Sequence, residues 1–175
     1  MIDPKQHADN RGMIESILRY IPGFSGYLEK EYRRESDALT RKWLADRLQR
    51  SKQALDEYGH TLVNLGQIDQ LPVLERMRSR LDRTISRLRG QMPGYSGFFD
   101  YVQVDQGLLD DIYDHDLAMI KRVDGLAEKL EQLPSSGQAP LQVVPAIQAE
   151  VDQVLADIDR REDLLKGIGT SQGPA

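Results

Sequence analysis

Glu57 and His60 stand three residues apart, the spacing at which one helix can present two metal ligands on the same face. Di-iron carboxylate bundles use two such Glu-x-x-His pairs, facing inward with glutamates from neighbouring helices. The second half of the chain has no second pair; its nearest substitute is an acidic run in which Asp111 and His115 share a helix face. Aspartate is shorter than glutamate, and the chain has three histidines in total. A metal-dependent bundle enzyme centred on Glu57 and His60 is therefore an alternative interpretation. The simpler interpretation is that these residues belong to exposed acidic helix surface.

Nucleophilic chemistry has less support in the sequence. Most serines lie inside predicted helices, without the strained turn that exposes a nucleophile, and local hydrogen bonds explain Ser25 and Ser96, which lie in turns. The chain has no cysteine, which excludes thiol catalysis, thiolate metal sites and a disulfide framework. We predict no catalytic residue and no cofactor, and the working class is a non-enzyme.

Charge is distributed unevenly along the chain. Residues 1–91 hold 17 basic and 13 acidic side chains and residues 92–175 hold 6 and 15, which gives net charges of +4 and −9. Within the basic half, spacings of four, three and four place four arginines on one helix face: Arg76, Arg80, Arg83 and Arg87. We call this set the arginine face.

Three readings of the arginine face stay open. It can be an ordinary solvated surface, it can dock on an anionic surface such as a membrane or a nucleic acid, or it can meet the acidic face of a partner or of a second copy. A nucleic-acid-binding domain is usually basic and interleaves aromatic residues with its cations, whereas this chain has a pI near 5.2. The sequence therefore favours a protein partner or self-association over a nucleic acid or a membrane.

A seven-residue phrase occurs twice, at Ile21–Tyr27 and again, with like-for-like changes, at Met92–Phe98. Pro22 fixes the first central dihedral of a type II turn, and Gly23 supplies the positive φ that the next position requires. The aromatic residues beside the second glycine can fold back over the end of a hydrophobic layer. A phosphate-binding loop would need a Lys-Ser or Lys-Thr after the glycines and a strand before them, and neither is present. The phrase predicts an elbow between helices.

Apolar residues recur at helical spacing, and most prolines and glycines fall between the periodic segments. We predict five helices. The first four lie near Arg11–Tyr20, Leu28–Leu65, Pro72–Gly90 and Asp105–Leu133. The last follows the loop at 134–140 and is closed by Gly167. The inner face of the third helix is predicted to be Leu74, Met77, Leu81, Ile85 and Leu88. The inner face of the last helix is predicted to be Val144, Ile147, Val151, Val154, Ile158 and Leu165. Both stripes have the spacing of a bundle or coiled-coil seam.

The repeated order of elbow, long helix and second helix predicts an internally duplicated all-α fold. Two helical hairpins, at about 21–91 and 92–167, bury their stripes most simply as an antiparallel four-helix bundle with an extra N-terminal helix. We expect a single domain over residues 1–167 and a flexible tail at 168–175. The second copy departs from the first at residues 99–104, which are rich in strand-forming residues, so we expect an irregular or extended segment there.

The segment Pro22–Asp37 resembles one seen in uncharacterised bacterial all-helical proteins that share a Pro-Gly-aromatic-Ser-Gly-aromatic elbow. The resemblance implies a helical fold and no assigned activity, so no functional residue follows from it. The polar start of the chain lacks the apolar core of a signal peptide, and no long apolar run predicts a membrane span. We expect a cytoplasmic helical protein that acts in interaction or as a scaffold.

Overall fold

The computed structural model of the protein describes residues 4–90 and 106–165. These residues form five α-helices and two short 3-10 turns, and they contain no strand, so the all-α prediction is confirmed for them. The helices are α1 (Pro4–Leu18), α2 (Lys30–Asn64), α3 (Leu71–Gly90), α4 (Gln106–Gln132) and α5 (Pro140–Leu165). The repeated elbow at 92–98, the segment at 99–104, Gly167 and the tail at 168–175 lie outside the described residues.

The bounds of α2, α3 and α4 fall within two residues of the predicted ones. The apolar spacing predicts a start of α1 near Arg11, whereas the helix begins at Pro4. Proline is favourable in the first turn of a helix, where its missing N–H is not needed. The polar composition of residues 4–10 concealed a helical segment that carries few apolar residues.

A Schellman motif ends α2. Gly66 has a φ of +73°, its N–H donates to the Val63 carbonyl at 3.0 Å, and the Gln67 N–H donates to the Leu62 carbonyl at 2.8 Å. The spacing of the apolar residues in α2 predicts that Leu65 belongs to its inner face, and this prediction is wrong, since 66% of the residue is exposed. Leu65 occupies the cap position, where the chain leaves the helical spiral and the apolar stripe no longer applies.

The chain divides into two compact units. Unit 1 comprises Met1–Trp43, Gln91–Ile120 and Asp157–Ala175, and unit 2 comprises Leu44–Gly90 and Lys121–Ala156. The helices α2, α4 and α5 each contribute residues to both units. None of the described helices contains a stretch that is both long and apolar enough to cross a bilayer.

The core of unit 2 is formed by the predicted stripes. Every predicted inner residue of α3 is buried, and so are the four predicted residues of α5 that belong to this unit, Val144, Ile147, Val151 and Val154. Burying large aliphatic side chains contributes about 1.5–3 kcal/mol each relative to leaving them exposed. The two stripes therefore supply part of the hydrophobic stabilisation of unit 2.

Ion pairs fix the helix directions within unit 2. On α2 and α3, Lys52 pairs with Asp82 and Asp56 with Arg78, so rising numbers on one helix meet falling numbers on the other. The two helices are therefore antiparallel. Lys129 of α4 contacts Glu150 of α5 at 2.5 Å, close to the 3-10 turn that joins these helices.

Two predictions for α5 need correction. Pro72 and Pro145 lie 50 and 52 positions after the elbow prolines Pro22 and Pro93, which predicts that they correspond. The structure instead places Pro72 as the second residue of α3 and Pro145 as the sixth residue of α5. Pro145 thus costs α5 one backbone hydrogen bond, whereas Pro72 costs α3 none. At the other end of α5, Leu164 is buried and the predicted inner residue Leu165 is only half-buried.

Candidate functional site

The first elbow, at the start of a buried polar cluster in unit 1, has the predicted turn geometry. The Phe24 N–H donates to the Ile21 carbonyl at 3.3 Å, and Gly23 has a φ of +86°. With Pro22 and Gly23 as the central residues, these are the features of a type II turn. The turn brings the chain from α1 to α2 and leaves Phe24 and Tyr27 buried.

Gly26 lies against a buried tyrosine. Its φ is +85°, and a Cβ atom at this position would stand 2.6 Å from the hydroxyl oxygen of Tyr113. The same hydroxyl oxygen accepts a hydrogen bond of 2.7 Å from the backbone N–H of Tyr27. Phe24, Tyr27 and Tyr113 also contact one another through their rings, with centroid separations of 5.5 to 6.4 Å. The elbow is therefore sealed by an aromatic plug, as predicted for the first copy of the phrase.

Beneath the plug, the hydroxyl of Tyr27 donates a short hydrogen bond to Oδ2 of Asp116 on α4. Arg161 on α5 binds both groups: its Nε donates to Oδ1 of Asp116 at 2.7 Å, and its Nη2 donates to the Tyr27 hydroxyl oxygen at 2.9 Å. Arg161 is 3% exposed and Asp116 is fully buried. One guanidinium thus joins the elbow to two helices in the interior of unit 1.

Asp37 on α2 completes the cluster. Its Oδ1 lies 2.5 Å from Nη1 of Arg161, and its Oδ2 accepts a hydrogen bond of 3.0 Å from Nε of Arg41. Burial alone would raise the pKa of Asp37, but the two guanidinium groups outweigh it and hold the pKa below its ordinary value. The stability that Asp37 contributes is therefore present above the ordinary carboxyl pKa and is lost as the pH falls through the lowered value.

The charge states and hydrogen bonds of the cluster suit a structural role rather than a catalytic one. Burial raises the pKa of Tyr27 well above its usual value, and the nearby Asp116 carboxylate raises it further, so the phenol stays protonated at neutral pH. Burial would lower the pKa of Arg161, but Asp116, Tyr27 and Asp37 raise it well above the usual value. Two carboxylates face two guanidinium groups. Among the described residues, no member of the cluster has a buried side-chain polar atom without a hydrogen-bond partner. The cluster acts as a clamp that fastens the elbow to α2, α4 and α5.

Glu57 and His60, the candidate metal ligands, are both exposed on α2 in unit 2. A di-iron site inside a bundle requires ligands that face inward, whereas these two side chains face solvent. Tyr58 is the buried residue of this turn, and its hydroxyl donates to the Gln138 carbonyl. The apolar stripe of α2 therefore lies on the face opposite Glu57 and His60, and both side chains are turned toward solvent.

Asp111 and His115 belong to unit 1, not to unit 2. Asp111 is exposed, and Nε2 of the half-buried His115 lies 2.7 Å from the Asp157 carbonyl oxygen on α5. Over residues 4–90 and 106–165, no three histidine, aspartate or glutamate side chains are grouped as a metal site. The structure does not bring the two sequence-predicted pairs into one ligand set.

All four residues of the arginine face are exposed on α3, opposite its buried stripe. Arg80 is engaged within unit 2, because its Nη1 contacts both oxygens of Asp152 on α5 at 2.7 and 2.8 Å. Arg47 of α2 likewise contacts Asp124 at 2.7 Å and Glu131 at 2.5 Å, both on α4. Part of the opposite charge of the two sequence halves is therefore neutralised by ion pairs inside unit 2.

The chain has no match among protein-family models, curated proteins or solved structures. Any functional assignment must therefore come from the geometry of its own residues. That geometry offers two distinct features, the closed polar clamp of unit 1 and the exposed arginine face of unit 2.

An open groove in unit 2 offers packing surface and little chemistry. It has a volume of about 370 Å³ and lies between the end of α4 and the start of α5. Leu133, Val143 and Ile147 supply its apolar lining, and its two charged residues, Lys129 and Glu150, are paired with each other. No buried polar group converges on it to orient a substrate.

Sequence reasoning missed the members of the clamp. A signal for two of them exists in the helical patterns: Asp116 lies four residues after Ile112, and Arg161 lies three residues after Ile158, both on buried stripes. An acidic and a basic residue on two apolar stripes predict a buried ion pair. Tyr27 carries no comparable signal, because its charged partners are remote in the chain, and the i, i+4 spacing of Asp37 and Arg41 gives no sign of the contact between Asp37 and the remote Arg161.

The alkaline stability of the protein is expected to depend on Tyr27. Folding keeps this phenol protonated at pH values where an unfolded tyrosine, with a pKa of about 10, has ionised. The contribution of Tyr27 to the free energy of unfolding is complete below about pH 10 and falls as the pH rises further. Urea unfolding between about pH 9 and 11 should show a steeper loss of stability for the wild type than for Tyr27→Phe. Equal slopes for the two proteins would contradict this assignment.

Proposed function

We propose that the protein is a non-enzymatic helical interaction or scaffold module that docks an acidic protein surface on its arginine face. The observation that carries the proposal is the arrangement of α3. Its apolar stripe is buried in the core of unit 2, while the opposite side exposes Arg76, Arg80, Arg83 and Arg87. With the apolar side already used for folding, the charged side is the one left for a partner.

A protein partner fits this surface better than a nucleic acid does. The helix α3 carries six arginines and two acidic residues, a net charge of +4, and it contains no aromatic residue on which a base could stack. A local acidic patch on a protein can meet α3 without approaching the rest of the chain closely.

Exposed ion pairs contribute little individually, about 0–1 kcal/mol each. Binding through the arginine face should therefore be weak, multivalent and sensitive to salt. Such binding suits a module whose partners are exchanged. No observation favours a metal-dependent enzyme as a second candidate, given the exposure of Glu57 and His60.

We also propose that α2 to α5 form two duplicated hairpins packed as an antiparallel four-helix bundle, with α1 as an additional helix. Antiparallel pairing of α2 with α3 in unit 2 supports this arrangement, as do the contacts of Arg47 with α4 and of Arg80 with α5. A 3-10 turn joins the two helices of each hairpin. We place this module in the cytoplasm, as the sequence suggests.

Neutralising two residues of the arginine face tests the docking role. Arg76→Gln with Arg83→Gln removes two exposed charges and spares Arg80, which is paired with Asp152. We expect this variant to bind fluorescent poly-L-glutamate at least about tenfold more weakly than the wild type at low salt, from the loss of several surface ion pairs. Fluorescence anisotropy measures the binding.

The matched control is Arg11→Gln with Arg19→Gln, which removes the same charge from exposed positions on α1 and directly after it. It should bind poly-L-glutamate like the wild type. Equal weakening by both variants would contradict a specific role for α3. Parallel titrations with single-stranded RNA and with phosphatidylserine vesicles separate the classes of ligand, and tighter binding to either of them would overturn the choice of a protein partner.

A further inference from the structure

We infer that the acidic surface recognised by the arginine face lies on a second copy of this chain, at Asp111 and Asp114 of α4. The inference rests on the proposed function and names its partner. It predicts a contact between α3 of one molecule and unit 1 of another. The two interacting surfaces are different, so each molecule contributes its arginine face to one contact and its acidic surface to another.

Charge also separates by unit. Unit 1 holds 11 basic and 17 acidic side chains, a net charge of −6, and unit 2 holds 12 and 11, a net charge of +1. Within unit 2, α3 alone has a net charge of +4. The most basic of the five described helices therefore finds its strongest electrostatic complement on unit 1 of another copy.

Asp111 and Asp114 form the exposed part of that complement. Both are exposed on α4, and their i, i+3 spacing puts them on one side of the helix. The neighbouring helix α5 adds the exposed Asp163. The helices α4 and α5 are held side by side in unit 1 by the ion pair between Asp116 and Arg161. Unit 1 thus presents acidic side chains on two adjacent helices.

The spacing of two arginines on α3 matches the distance between the two acidic helices. Arg76 and Arg83 lie seven residues apart, or about 10 Å along α3, which is close to the usual distance between two packed helix axes. One arginine can therefore reach α4 of the second copy while the other reaches α5. Arg80 is not expected to contact the second copy, because it is bound to Asp152 of its own chain.

Because the two surfaces differ, the contact is heterologous. A heterologous contact makes a ring if it closes and an open chain if it does not, whereas a two-fold dimer would use one surface twice. The association should weaken with salt, since every contact it uses is between exposed charges. A head-to-tail assembly of this kind gives a scaffold its repeating unit.

Light scattering of the full chain tests the inference. At low salt the wild type should have a mass above that of the monomer, and in about 1 M salt, where the screening length is about 3 Å, it should be a monomer. Arg76→Gln with Arg83→Gln should be monomeric at low salt, and so should Asp111→Asn with Asp114→Asn. An equimolar mixture of these two variants should form a one-to-one complex and nothing larger, because one complementary pair of surfaces survives.

The matched control is Glu15→Gln with Glu29→Gln, which removes two exposed negative charges from other positions of unit 1. It should assemble like the wild type. A monomeric wild type at low salt would overturn the inference, as would assembly of the Asp111→Asn, Asp114→Asn variant. A mixture of the two variants that stays monomeric would also overturn it. In each of these cases the proposed function stands if poly-L-glutamate still binds through α3, so the two claims fail separately.

Discussion

Replacing Arg161 with methionine is expected to lower the free energy of unfolding by about 3–5 kcal/mol, the usual cost of removing one partner from a buried ion pair. The substitution leaves the carboxylate of Asp116 in the interior with the Tyr27 hydroxyl as its remaining donor. It also removes the link from α5 to Asp37 on α2. Urea unfolding followed by circular dichroism measures the change.

Arg160→Met is the matched control, because Arg160 is the exposed neighbour of Arg161 on the same helix. It should change stability by less than about 0.5 kcal/mol. Adding Asp116→Leu to Arg161→Met should restore much of the loss, since apolar replacement of a whole buried pair is often neutral. A double variant less stable than Arg161→Met would contradict the view that an uncompensated carboxylate causes the damage.

Gly26→Ala is expected to have the second largest effect. The left-handed backbone at φ +85° costs a residue with a Cβ about 1–2 kcal/mol. The new methyl group would also stand 2.6 Å from the Tyr113 hydroxyl oxygen, and overpacking of this kind typically costs about 1–3 kcal/mol more. Displacing Tyr113 disturbs the hydrogen bond that it accepts from the Tyr27 N–H. The elbow should therefore loosen from the clamp.

Gly23→Ala separates the two causes. Gly23 has nearly the same φ, +86°, but the nearest atom to its Cβ position is the Leu39 side chain at 3.8 Å, an ordinary contact. It should carry the backbone cost alone and be clearly more stable than Gly26→Ala. Equal melting temperatures for the two variants would show that the close approach to Tyr113 does not matter.

Local patterns predicted most of the helical structure. The stripe of α3 repeats at near-heptad spacing over a short stretch, so its buried side could be identified without knowledge of any partner helix. The turn at Pro22 and Gly23 was likewise predictable, because proline and glycine determine their own backbone geometry. Errors arose where local rules end, as at Leu65, which a Schellman motif places at the cap of α2 and not on its stripe.

The clamp could not be assembled from local patterns. Tyr27 lies 89 residues from Asp116 and 134 residues from Arg161, and no spacing rule connects positions so far apart. The apolar stripes of α4 and α5 could have identified Asp116 and Arg161 as buried. Their meeting with the first elbow depends on how the helices of unit 1 pack, which periodicity does not specify.

The metal hypothesis illustrates the same limit. The spacing of Glu57 and His60 predicts that the two side chains share a face of α2, and it cannot say whether that face is inside or outside. Tyr58 and Leu62 decide the question, because both are buried and turn the Glu57 and His60 side toward solvent. A motif of two residues is weaker evidence than the apolar stripe of the helix that carries it.

Charge patterns were informative about composition and less so about pairing. The opposite charges of the two halves suggested an intermolecular role, yet Arg47 and Arg80 of the first half contact acidic residues of the second half within unit 2. Division by unit, which only the structure supplies, leaves the excess of acidic residues on unit 1. The arginine face must therefore be tested through Arg76 and Arg83.

A ¹⁵N-resolved NMR titration of the full chain with poly-L-glutamate at low salt tests the docking role of α3 most directly. Binding through the arginine face predicts that the shifts change mainly along α3, including the side-chain Nε–H groups of Arg76 and Arg83, and that these changes vanish at high salt. Shift changes concentrated on other basic surfaces, or none at all, would contradict the assignment of α3 as the interaction surface.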